Sequence, residues 1–109
     1  PILCKVIMPE IIPSAEMGGE KRRNIFLSVK ESLNNILKHS QATEVIINIS
    51  ITNKNLIIRV ADNGVGIDTE KLRRFGNGLS NMKRRMESIN GDFKVETNQG
   101  SIITFTSPL

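Results

Sequence analysis

Apolar and polar positions alternate along this chain in two rhythms, and the switches between them mark its elements. Residues 2–8, Ile-Leu-Cys-Lys-Val-Ile-Met, read as a short strand stopped by Pro9. The segment 9–19 carries Pro9, Pro13, Gly18 and Gly19 and reads as a loop. From Glu20 to His39, Ile25, Phe26, Val29, Leu33, Ile36 and Leu37 recur at spacings of three and four, which predicts an amphipathic helix with one buried stripe. Glu31, Asn35 and Lys38 share a second line almost opposite that stripe. Val45–Ile51 and Leu56–Ala61 are branched strands around the polar turn Thr52-Asn53-Lys54-Asn55, a hairpin pattern. A polar, basic stretch at 68–77 leads to a second helix near Leu79, with Met82, Met86 and Ile89 on one face and Asn90-Gly91 at its end. Asp92–Thr97 and Ser101–Ser107 close the chain as two more strands.

The order β-α-β-β-α-β-β predicts an α+β fold: a two-layer α/β sandwich. Its mixed, largely antiparallel sheet has about five strands, with the helices on one face. At 109 residues the chain fits one domain, 1–109, with 1–19 as a leading strand and loop. Because it opens on Pro1 with a strand at once, it reads as a piece of a longer polypeptide. A hydrophobic share of 39% and a charged share of 24% are ordinary for a soluble globular chain, and no apolar run suits a bilayer. The one cysteine, Cys4, fits a reducing compartment and a cytoplasmic domain.

The formal charge of +4 raises nucleic acid as a partner. Against it, the cations gather mainly at Lys21-Arg22-Arg23 and Lys83-Arg84-Arg85. Trp and Tyr are absent, and three of the four Phe fall at positions expected to be buried, so stacking platforms are missing. A phosphate-bearing ligand or an acidic protein suits the charge better. No G-x-x-x-x-G-K-[ST] run occurs, which excludes a Walker-type phosphate loop.

The most informative segment is Asp62-Asn63-Gly64-Val65-Gly66-Ile67-Asp68, an acid at a strand end followed by two glycines. Glycines there let a ligand lie against bare backbone, although Asn-Gly alone fits a plain hairpin turn equally well. Likewise Glu31, Asn35 and Lys38, taken alone, fit a solvated helix face.

Together these segments resemble one family. Glu31-Ser-Leu-Asn-Asn35-Ile-Leu-Lys38-His39-Ser40 looks like the N box of sensor histidine kinases. Asp62–Asp68 looks like their G1 box, Gly76-Asn-Gly78-Leu79-Ser-Asn-Met82 like their G2 box, and Gly100-Ser101 like their terminal Gly-Thr element. The resemblance runs from about residue 20 to the end. It implies the GHKL, or Bergerat-fold, ATP-binding catalytic (HATPase) domain of a bacterial two-component sensor histidine kinase, with ATP and Mg²⁺ as cofactors. The implied activity is donation of the ATP γ-phosphate to a histidine on a separate dimerisation domain.

At the matching positions the implied roles are concrete. Asp62 would accept the adenine amine, Gly64 and Gly66 would pass beside the purine, and Ser101 would hold a water between base and acid. Ser101 stands where the family usually has Thr. Asn35 would ligate Mg²⁺, and Lys38 and His39 would meet phosphate oxygens. Gly78 and Leu79 would open a helix whose free N–H groups face the triphosphate. Glu31 would be the general base or orienting group for the incoming imidazole. His39 matches the N box, so it is not read as the phosphorylated residue. The stretch 68–77 would be a short, mobile lid.

The resemblance also implies partners: the phosphoacceptor domain of a parent protein that is dimeric and in some cases membrane-anchored, a response regulator, and no nucleic acid. Two other readings stay in view, an anti-sigma-factor-type serine/threonine kinase of the same fold and a non-catalytic nucleotide-binding interaction module.

Overall fold

The computed structural model describes residues 3–8, 18–39, 41–65, 78–97 and 100–109, with His39 and Gly78 described by backbone only. The expectations for the 9–17 loop, the 68–77 lid, Gly66, Gly76 and the His39 side chain lie outside those residues. Seven elements follow one another: β1 (Leu3–Ile7), α1 (Gly19–His39), β2 (Glu44–Thr52), β3 (Asn55–Asp62), α2 (Gly78–Ser88), β4 (Asp92–Thr97) and β5 (Ser101–Pro108).

The strands form one sheet in the order β1-β2-β3-β5-β4. β1 runs parallel to β2, and the other three pairings are antiparallel, so the expected mixed sheet is what forms. The β2–β3 hairpin turns through Asn53 and Lys54, both at positive φ, as a tight two-residue connection requires. Period-two burial then sorts the central strands. Ile58, Val60 and Asp62 of β3, and Ser101, Ile103, Phe105 and Ser107 of β5, all point to the same buried side. The helices pack there, and Val45, Ile47, Met82, Met86 and Ile89 complete the core. Removing either fully buried methionine side chain to alanine is the kind of change that costs ~2–5 kcal/mol.

α2 ends in a Schellman arrangement. The Asn90 N–H donates to Glu87 O at 3.0 Å and the Gly91 N–H to Met86 O at 2.7 Å, with Asn90 at φ 60°. Gly91 is there for space: a Cβ would stand 2.6 Å from Thr106 O.

The expected buried stripe of α1 is rotated. Phe26 and Leu37, counted into it, are 64% and 63% exposed, whereas Ser28, Ser32 and Asn35 are buried beside Ile25 and Ile36. At about 100° per residue this moves the inward face roughly a quarter turn, and Asn35 is on its margin rather than opposite it. The physical reason is α2. Asn24 touches Ser88 and Arg85 of α2, and Ser28 and Asn35 continue the same line along α1. Small side chains on that line let the helices approach. Phe26 also corrects the aromatic reading: among the described residues only Phe105 is fully buried, with Phe93 half-buried against it at 5.5 Å between ring centroids.

Candidate functional site

Asp62 closes β3 between Val45 on β2 and Ser101 on β5. It is 9% exposed, and both carboxylate oxygens are engaged. The Gly64 N–H donates to Oδ1 at 2.7 Å, and the Ser101 hydroxyl donates to Oδ2. A carboxylate has about four lone-pair positions, so two bonds orient the group and leave acceptor capacity at its exposed edge. Ser101 reaches the acid directly; its backbone partner across the ladder is that same residue.

Two residues that the sequence reading assigned no role fix this corner. Asn63 ties the turn to the start of β2. Its Oδ1 accepts from the Thr43 and Glu44 N–H groups at 2.9 and 3.0 Å, and its Nδ2 donates to Thr43 Oγ1 at 3.0 Å. The only available signal was Asn before Gly, which reads as a turn residue of any kind. Gly100 was noticed only as part of a motif. Its φ of +126° and the 2.1 Å that would separate a Cβ from Asp62 O show why no side chain is tolerated there. The β4–β5 connection therefore presses directly on the backbone of the acid.

α1 supplies the second group of predicted residues. Asn35 is 8% exposed, and its Nδ2 is buried without a hydrogen-bond partner. A buried, unpaired amide costs about 1–3 kcal/mol, and Ser28 Oγ on the same helix is buried and unpaired as well. Side-chain oxygen and nitrogen exchange by a flip about the last torsion, so the same amide can present oxygen to a hard cation. Glu31, one turn earlier, is half-buried, and Lys38, almost one turn later, is exposed. Neither belongs to the ion pairs found among the described residues, Lys5–Glu44 and Lys94–Glu96. No cluster of three or more metal-binding side chains occurs among the described residues, so any cation here would rest on few protein ligands and on a bound phosphate.

α2 begins at Gly78 and carries no acid in its first turn. Its opening N–H groups and positive dipole end are thus uncompensated by carboxylates of the helix itself. Leu79, at its second position, is half-buried against the core. Asp62 and Asn35 are held on the helix-facing side of the sheet, and α1 packs on β3.

Comparison with known proteins gives this arrangement its family. Residues 20–109 match the model of the histidine kinase-, DNA gyrase B- and HSP90-like ATPases. The chain belongs to that family. ATP is the ligand that membership implies. The sensor histidine kinase ComP of Bacillus subtilis is 38% identical over 90 residues, 80% of this chain. The chain spans only 12% of that relative's length. Among solved structures, the histidine kinase domain of the Erythrobacter litoralis blue-light activated histidine kinase superposes with a TM-score of 0.81. The match is 23% identical and covers 99% of this chain and 52% of that one. Full-length ShkA in complex with AMPPNP superposes with a TM-score of 0.74 at 22% identity, covering 98% of this chain and 25% of the other. Those likenesses establish the five-stranded α+β fold. No helix among the described residues is long and apolar enough to cross a membrane.

Proposed function

We propose that this chain is the Mg·ATP-binding catalytic domain of a sensor histidine kinase, one domain of a longer dimeric protein. It would work in the cytoplasm, donating the ATP γ-phosphate to a histidine on a separate phosphoacceptor domain for onward transfer to a response regulator. The observation that carries the reading is the buried, doubly hydrogen-bonded Asp62 carboxylate at the end of β3. An oriented anionic acceptor suits the exocyclic amine of adenine, a contact worth about 1.5–3 kcal/mol. Gly64, and with it Gly66, would leave room for the purine beside the backbone. Ser101 would orient the acid and accept from a water at the base.

Asn35, with Lys38 and His39, would face the phosphates, and Asn35 would hold Mg²⁺. Asn35 stands at the margin of the inward face of α1 with an amide oxygen that can serve a hard cation, which supports that fit. Mg²⁺, when bound, supplies charge neutralisation among the phosphate oxygens. The N–H groups at Gly78 and Leu79 would meet the same anionic tail. Glu31 would take the proton of the attacking imidazole as its nitrogen bonds to the γ-phosphorus. The bond from that phosphorus to the β–γ bridging oxygen breaks, and ADP leaves.

The test supplies the chain with Mg·ATP and the histidine-bearing helical domain of its parent, then examines the phosphorylated product. The proposal expects an acid-labile, alkali-stable phosphoryl linkage on the partner. An acid-stable linkage on a hydroxyl side chain would assign the chain to the serine/threonine kinases of this fold. Nucleotide binding without transfer to any added domain would leave only an interaction module.

A further inference from the structure

The fold packs α1 against α2, and each helix carries a basic run. Lys21-Arg22-Arg23 lies near the start of α1 and Lys83-Arg84-Arg85 on α2, and Asn24 joins the two helices at Arg85 and Ser88. Its Nδ2 donates to Ser88 Oγ at 2.9 Å and to Arg85 O at 3.4 Å, and Ser88 Oγ donates to Arg85 O at 2.7 Å. Beside that contact lies an open surface groove of about 300 Å³ lined by Asn24, Asn81, Arg84, Arg85 and Ser88, of which Arg84 and Ser88 are exposed. The lining contains no carboxylate and no large apolar side chain.

We propose that this cleft is an oxyanion site, separate from the nucleotide pocket, which takes the carboxylate or phosphoryl group of a ligand. An inventory of donors supports it. Asn81 spends its Oδ1 on Arg84, so its two amide N–H groups remain free to donate. Arg84 retains most of its guanidinium donors, and Arg85 makes no side-chain hydrogen bond or ion pair among the described residues. Glu20 and Glu87, the acids on these helices closest in sequence to the cleft residues, are exposed and pair with neither guanidinium. Two planar forks beside an amide match the bidentate geometry of carboxylate and phosphate oxygens. The Asn24 bonds to Ser88 Oγ and Arg85 O join α1 and α2 at one side of the groove.

The test is a titration of the isotope-labelled 109-residue chain with inorganic phosphate and, separately, with succinate at constant ionic strength. The readout is the side-chain amide signals of Asn24 and Asn81. The proposal expects saturating shifts. Tighter saturation by phosphate identifies a phosphoryl ligand, and tighter saturation by succinate identifies a carboxylate. Joint Arg84→Gln and Arg85→Gln substitution should weaken the saturating response at least ~tenfold, given that charge-assisted bidentate pairs carry it. Lys94→Gln, on the outlying strand β4, should leave it unchanged. Shifts that grow linearly without saturation, or saturation that survives the double substitution, would overturn the proposal. Because Asn81 lies within one turn of Gly78 and Leu79, the Asn24 signal is the one that separates this cleft from phosphate entering the nucleotide pocket.

Discussion

Two regions of the proposed nucleotide site, the Asp62 corner and the α1 face, are built on opposite principles. At the Asp62 end every group is already held in place. Both carboxylate oxygens are bonded, Asn63 anchors the turn to β2, and Gly100 packs its backbone on the acid. On α1 the polar groups are uncommitted: the Asn35 Nδ2 is buried without a partner, and Lys38 is exposed and outside any ion pair among the described residues. A base is a rigid, neutral edge, so its receptor gains from being fixed beforehand. Phosphates and a hydrated cation vary in position, so the residues meeting them gain from being left uncommitted.

That contrast can be broken from either side. The largest effect is expected from Gly100→Ala. A Cβ 2.1 Å from Asp62 O, at a φ of +126°, cannot be accommodated without moving the acid. Strain alone costs about 1–3 kcal/mol and the clash adds to it. Thermal unfolding should shift down by many degrees and nucleotide binding should fail; a chain with unchanged stability would show that the corner is not over-determined. Asn35→Ala comes next. It should weaken Mg·ATP binding roughly tenfold, about the worth of one hydrogen bond to a charged group, and leave metal-free nucleotide binding alone. It should also relieve the unpaired amide, so stability should hold or rise. Equal loss with and without Mg²⁺ would remove the metal role.

Ser101→Ala should cost less, a few-fold in affinity, because Gly64 still holds one carboxylate oxygen. Ser101→Thr keeps the hydroxyl and should bind as well as the parent. Equal affinity for Ser101→Ala in calorimetry would mean that the hydroxyl does not orient the acid. Smallest is Ser28→Ala, outside the pocket. It deletes a fully buried hydroxyl with no partner and should stabilise the fold by about 1 kcal/mol in denaturant unfolding. A loss of stability there would mean that a bonding partner exists.

Strand positions were plain in the sequence because branched residues between turn signals leave little choice, as Val45–Ile51 and Leu56–Ala61 show. The N-box helix was legible in extent but not in orientation. A periodicity count weighs only apolar side chains, so it enlisted Phe26 and Leu37 and passed over Ser28 and Ser32, whose value is smallness against α2. Asn63 was hidden for another reason: its three side-chain bonds depend on the N-terminus of β2, which no local pattern reveals. Asp62 stood out because an acid ends an apolar strand and two glycines follow it at a spacing of two.

The most direct test of the account titrates Mg·ATP and Mg·GTP into the wild-type chain and into Asp62→Asn. Guanine carries a carbonyl where adenine carries the amine, so a fixed carboxylate should favour ATP by at least ~tenfold in the wild type, in line with a charged hydrogen bond. Asp62→Asn should lose ATP affinity and that preference together. Equal affinity for the two nucleotides in the wild type, or undiminished ATP binding after the substitution, would contradict a base-reading role for Asp62.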